Sequence, residues 1–167
     1  YVAGSVAVAM HLRRTLQRPI HTKDADLVVL QVGEEHRLAE ATRQLLDAGW
    51  QRRDSYRAGP GSAADPVHQL PGIRLYPPKK VDDFFIEFLG VPDRGQGEKK
   101  EWRRVVVGTD HYGVPRFRFM VLTSWGIKSS PSGLRYADPA MMALANLLSH
   151  QDIDDTDVFG GQQYGPL

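Results

Sequence analysis

The chain has 167 residues, 41% hydrophobic and 25% charged, which is the balance of one folded core and not of a disordered or fibrous chain. A formal net charge of +1 excludes an overall basic field that draws a protein onto nucleic acid, so any such contact must come from a local patch. The absence of cysteine excludes disulfides and thiolate metal sites, and it is compatible with a reducing cytoplasm, the expected location.

Gly4-Ser5 opens a helix expected to run to about residue 16, capped by Ser5, with Val6, Met10 and Ala9 or Leu12 spaced for one apolar face. This first stretch, YVAGSVAVAM, lacks a basic leader and is followed by the cationic HLRRTLQRP, so it reads as a buried helix and not a signal peptide. Arg18-Pro19 ends the helix. Residues 25–30 then read as a buried strand bounded by Gly33. A second helix over 34–48 turns Leu38, Ala41, Thr42, Leu45 and Leu46 inward and closes on Gly49. Residues 50–56 have the alternation of a strand, and RAGPGSAADPVHQLPG has the Gly, Pro and Ser density of a mobile loop.

Residues 73–76 and 83–89 are expected to be strands, separated by Pro77-Pro78 and a basic pair, and DRGQGEKKE an exposed loop. Residues 103–107 and 117–123 are further strand candidates, joined by a turn through Gly113-Val114-Pro115. Asp138 caps a last helix with Pro139 at its first position and Met141, Met142, Leu144, Leu147 and Leu148 on its apolar side. The order helix, strand, helix, strands, helix predicts an α+β domain, a mixed sheet with helices packed on it, over residues 1–150. Residues 151–167 read as a loose or truncated tail. A chain that starts at Tyr1 and not at Met is expected to be a fragment or trimmed product, and missing flanks could carry a partner domain. No apolar run approaches the roughly 18 residues of a membrane span.

Asp24 and Asp26, one residue apart at the start of a strand, share a face at roughly 6.6 Å spacing. Two carboxylates so placed can grip hard divalent cations, and two magnesium ions about 3.5–4 Å apart serve in-line attack on a phosphoryl group. Glu87 is the best third ligand, because an ionised group inside Phe84-Phe85-Ile86-Glu87-Phe88-Leu89 is costly without a positive partner. Asp83 is expected at the sheet edge and Asp82 on the other face. At the entrance of the first helix, free N–H groups favour a polyphosphate, Gly4 allows close approach and the Ser5 hydroxyl can donate. Of the basic doublets, Lys79-Lys80 precedes the strand of Glu87 and could meet phosphate or RNA. The six histidines show no helical pair for zinc, DIDDTDVFG is a poor calcium loop, and neither a P-loop nor a Rossmann glycine run is present. Trp50, Trp102 and Trp125 are expected to pack in the core or at its edge.

The stretch VAGSVAVAMHL…RPIHTKDADLVV resembles the nucleotidyltransferase superfamily that includes DNA polymerase beta, in the minimal version of the AbiEii-type bacterial toxins. The matching residues are Gly4-Ser5, Ala7, His11 and His21-Thr22-Lys23-Asp24-Ala25-Asp26-Leu27, with His21 where arginine is common. The likeness covers residues 2–30 well, 84–89 loosely and 116–149 in outline. It implies a nucleotidyltransferase-like fold, Mg2+, a nucleoside triphosphate such as ATP, and transfer of a nucleotidyl group to an acceptor hydroxyl. In that scheme Asp24 and Asp26 ligate both ions, and Glu87 completes the catalytic one and helps activate the acceptor. Gly4 and Ser5 cradle the β- and γ-phosphates, while Lys23 balances charge or faces solvent. The implied acceptor is an RNA such as tRNA in a toxin–antitoxin setting, then a small hydroxylated molecule such as an antibiotic, then a protein side chain. An antitoxin or flanking domain is the implied partner. The final helix carries Asn146 where relatives place a lysine, and the third carboxylate is Glu and not Asp. The alternative is a retired enzyme that keeps the scaffold as a binding or regulatory module.

Overall fold

The computed structural model of the protein describes residues 1–12, 22–29, 33–52, 60–79, 84–92 and 100–153. In chain order the elements are α1 (Gly4–Leu12), β1 (Asp24–Val29), α2 (Glu35–Asp47), a 3-10 turn (Val67–Gln69), β2 (Arg74–Leu75), β3 (Phe85–Gly90), β4 (Lys100–Val107), β5 (Asp110–Phe117), α3 (Met120–Thr123), β6 (Lys128–Ser129), β7 (Arg135–Tyr136) and α4 (Pro139–Ile153). The main sheet runs β1-β3-β5-β4, with β1 parallel to β3, β3 parallel to β5 and β4 antiparallel to β5. The short β2 pairs antiparallel with the first half of β3. This is a mixed sheet with helices packed on it, as the element order predicts.

Alternation along β1 and β3 assigns the two faces. Ala25, Ile86 and Phe88 join Leu38 of α2, Ile73, Leu75, Val105 and Val114 in one core. Val28 joins Ala3, Ala7, Val91, Met120 and Met142 in a second core beneath α1, α3 and α4. Opposite faces of one strand thus feed two apolar layers, which accounts for the near-continuous apolar run in LVV. Before α1, residues 1–3 run antiparallel to β1, with Ala3 N donating to the Asp26 carbonyl at 2.8 Å and Val28 N to the Tyr1 carbonyl at 2.8 Å. The Tyr1 hydroxyl is bonded to Thr123 Oγ1 at 2.6 Å, which ties the first residue to α3. Among the described residues no helix is long and apolar enough to cross a membrane.

Several elements follow the sequence closely. α2 buries Leu38 and Thr42, packs Leu45 and Leu46 on the core, and stops at Gly49, whose φ of 89° is the left-handed geometry expected after a helix end. Asp138 caps α4 as expected: its Oδ1 accepts from Ala140 N at 2.8 Å, and its other oxygen pairs with Lys128 at 2.9 Å. The Lys128 ammonium, then the helix amides, hold the Asp138 carboxyl below its usual value. A depressed folded pKa contributes stability above the unfolded value of 3.8 and loses it as pH falls through the folded pKa. Asp138→Ala is therefore expected to lower the urea midpoint at pH 7, and the gap from wild type is expected to narrow toward pH 3.

Other expectations are corrected. β5 spans Asp110–Phe117, so Gly113-Val114-Pro115 lies within a strand, and the turn is instead the two-residue loop opened by Gly108 at φ 64°. Pro115 is tolerated because β5 meets β3 only at the Gly90–Arg116 pair, and elsewhere on that edge a missing N–H leaves few bonds unmade. The apolar run expected as a strand over 117–123 contains the short helix α3 instead. Lys100 and Glu101 belong to β4 and not to a loop. In residues 50–52 only Gln51 pairs, exchanging two 2.8 Å bonds with Tyr76. The described part of the Gly/Pro-rich loop is tied down, with Gly61 and His111 exchanging bonds of 3.1 and 3.0 Å.

In α1 the fully buried residue is Ala7, packed in the second core, whereas His11 is exposed. In α4 Met142, Ala145 and Ser149 are buried, whereas Leu144 and Leu147 face outward, Leu147 at 74% exposure. α4 also extends to Ile153, past the expected boundary at residue 150. Trp50 packs on the first core, but Trp125 is exposed. The helix stop at Arg18-Pro19, His21, Leu30, residues 53–59, Lys80, Asp82, Asp83, residues 93–99 and the tail from 154 lie outside the described residues, as do Arg13 and Arg14.

Candidate functional site

The register of the two central strands brings the predicted carboxylates together. Asp26 of β1 pairs with Glu87 of β3, and Asp24 pairs with Phe85, so Asp24, Asp26 and Glu87 occupy one face of neighbouring strands. That face is the one covered by α1. Residues 1–3 lead along β1, and the chain turns into α1 at Gly4 with φ 65°. A Cβ on Gly4 would lie 2.4 Å from Asp26 Oδ2, so only glycine permits the helix entrance to rest on this carboxylate. The order seen in the sequence, glycine-serine then paired aspartates, becomes direct contact in space.

Hydrogen bonds link the same parts. Ser5 Oγ donates to Thr22 Oγ1 at 2.7 Å, and Thr22 Oγ1 in turn lies 2.9 Å from Asp24 Oδ1 and 3.0 Å from the Asp24 carbonyl oxygen, one proton serving both. The hydroxyl of Thr22 therefore sets the orientation of the Asp24 carboxylate and holds the Ser5 side chain beside it. Glu87, 18% exposed, accepts from Arg74 Nε at 3.1 Å. Arg74 is its register partner on β2 and lies over the Phe85 ring at 5.2 Å. Lys23 and Lys79 are exposed, and so are His11 and Asn146.

Three acidic groups on one face repel one another. Burial, then the charges of Asp24 and Glu87, push Asp26 up to about 6 from an ordinary value of 3.8. The donor set is all carboxylate oxygen, which suits Mg2+ or Mn2+ and not a soft metal. Among the described residues no group of three or more His, Cys, Asp or Glu side chains stands gathered to hold a metal ion; Asp24 is engaged by Thr22 and Glu87 by Arg74. Reading along the chain singled out the carboxylates, Gly4 and Ser5, but not Thr22 or Arg74 as site residues. A threonine two residues before an aspartate is a local hydrogen-bond signal. Alternation in Ile73-Arg74-Leu75 puts Arg74 on the face away from the core, but its partner depends on strand pairing. A separate shallow cleft, lined by Leu38, Gly90, Arg103 and Arg116 among others, opens on the α2 side of the sheet.

No protein-family model, no curated protein and no solved structure matches this chain. Its own residues define it as a mixed-sheet α/β protein with a carboxylate-lined sheet face at a helix entrance.

Proposed function

We propose that the protein is a divalent-metal-dependent nucleotidyltransferase. The observation that carries this reading is the pairing of Asp26 with Glu87 on the strand face that the Gly4 helix entrance touches. Asp24, Asp26 and Glu87 would hold Mg2+, which when bound supplies positive charge for the developing negative charge of phosphoryl transfer. The α1 amides and the Ser5 hydroxyl, turned from Thr22, would bind the β- and γ-phosphates. Thr22 keeps Asp24 aimed. An acceptor hydroxyl oxygen bonds to the α-phosphorus, the bond from that phosphorus to the bridging oxygen breaks, and pyrophosphate leaves. Glu87 helps to draw off the hydroxyl proton. RNA is the preferred acceptor, with a small hydroxylated molecule next.

The test is to incubate the protein with each labelled nucleoside triphosphate, Mg2+ and total RNA. Label transfer is expected in wild type. Asp26→Ala and Glu87→Ala, remaining folded, are expected to lose it by on the order of 100-fold or more, since several kcal/mol of metal-borne stabilisation goes with them. Transfer that is indifferent to both substitutions, or absent with all four triphosphates, sinks the reading. The bond from Arg74 to Glu87 favours one second reading, a scaffold that binds nucleotide without turnover. Triphosphate affinity without label transfer selects it.

A further inference from the structure

Glu87 is approached on one side by a short segment that no metal-binding pattern in the sequence includes. Gly72 leaves room beside it: a Cβ there would sit 3.4 Å from Glu87 Oε1. Two residues later, Arg74 is held on the carboxylate face by β2, with Nε at 3.1 Å from the same oxygen and its guanidinium against Phe85. A guanidinium lying on an aromatic ring is restrained in orientation, so the carboxylate faces a fixed positive charge. A divalent ion on Asp24 and Asp26 needs electron pairs from Glu87, and any cation brought there is also repelled by Arg74.

We infer that Arg74 is an internal counter-ion that competes with divalent metal for Glu87. This rests on the metal-dependent reading above and adds a regulation to it. Without metal the guanidinium offsets one of three crowded negative charges and keeps Glu87 in place. When metal takes the carboxylate, the guanidinium is released from Glu87 and can meet an anionic substrate at that face. Arg74 is thus a positioning residue that weakens metal binding, the opposite of what removal of a merely structural contact would reveal.

Mn2+ binding to the full chain, followed by the electron paramagnetic resonance signal of free Mn2+, tests this. Arg74→Gln is expected to bind Mn2+ about two- to tenfold more tightly than wild type, the range for loss of a partly exposed ion pair. Arg74→Lys is expected to fall between them. Equal or weaker binding by folded Arg74→Gln overturns the inference. Asp26→Asn separates the two levels: if it loses Mn2+ while Arg74→Gln is unchanged, the metal site stands and the competition does not exist. If wild type and Asp26→Asn bind alike, the metal reading and the inference both fall. A measurement on wild type needs no variant. Labelling of Arg74 by a dicarbonyl reagent, read by mass spectrometry, is expected to rise when Mn2+ saturates the protein, and unchanged labelling overturns the competition.

Discussion

Asp26→Asn is expected to stabilise the fold at pH 8 by about 1–3 kcal/mol while removing divalent binding. The sign follows from the direction of the shift. Burial and the charges of Asp24 and Glu87 raise Asp26 to about 6 in the fold, against 3.8 as the ordinary value. Between those values the folded chain binds more protons than the unfolded chain, so this residue's contribution falls as pH rises, and the full penalty is present above about 6. Asparagine fills the same space without charge and escapes that penalty. Urea midpoints of both proteins from pH 4 to pH 8 are expected to converge at the acid end and to separate above pH 6. Added Mn2+ is expected to raise the wild-type midpoint and not that of the variant, because a ligand that binds only the folded state stabilises it. A variant no more stable at pH 8 than wild type would mean that burial and the charges of Asp24 and Glu87 do not penalise the ionised Asp26.

Gly4→Ala is the second large effect. The backbone there has φ 65°, a left-handed geometry that costs an L-residue about 1–2 kcal/mol. The new Cβ would also meet Asp26 Oδ2 at 2.4 Å. A carboxylate end can swing aside, so the clash is expected to displace Asp26 more than it unfolds the protein. Loss of Mn2+ binding should therefore exceed what a 1–2 kcal/mol destabilisation explains. Combining Gly4→Ala with Asp26→Ala removes the clash and leaves the backbone strain. The two substitutions are thus expected to be non-additive in urea midpoints, with a coupling of about 0.5–3 kcal/mol. Strict additivity would show that the helix entrance and the carboxylate are independent.

Much of this site could be read along the chain because its signals are local. Gly4-Ser5 before an apolar helix, Asp24 and Asp26 at one-residue spacing, and Glu87 in an apolar strand each follow from residue type and period. The cap at Asp138 and the stop at Gly49 are local in the same way, each set by hydrogen bonds within a few residues. Local rules failed where a distant partner decided the outcome. Gly113 and Pro115 are turn-forming residues, yet they lie in β5 because Lys100–Val107 pairs along its whole length. Leu144 and Leu147 fit an apolar stripe, yet the buried side of α4, which packs against α1 and α3, is supplied by Met142, Ala145 and Ser149.

By itself the sequence determined which side chains carry charge, which backbone positions can take a left-handed turn, and that Asp24 and Asp26 must share a strand face, since alternation is a property of the chain. Only the tertiary structure decided that Glu87 stands beside Asp26, that Gly4 rests on its carboxylate and that Arg74 answers Glu87. Those three relations join residues 61, 22 and 13 positions apart, and no local preference specifies them. They are fixed by strand register, and register is set by which apolar faces can be buried together.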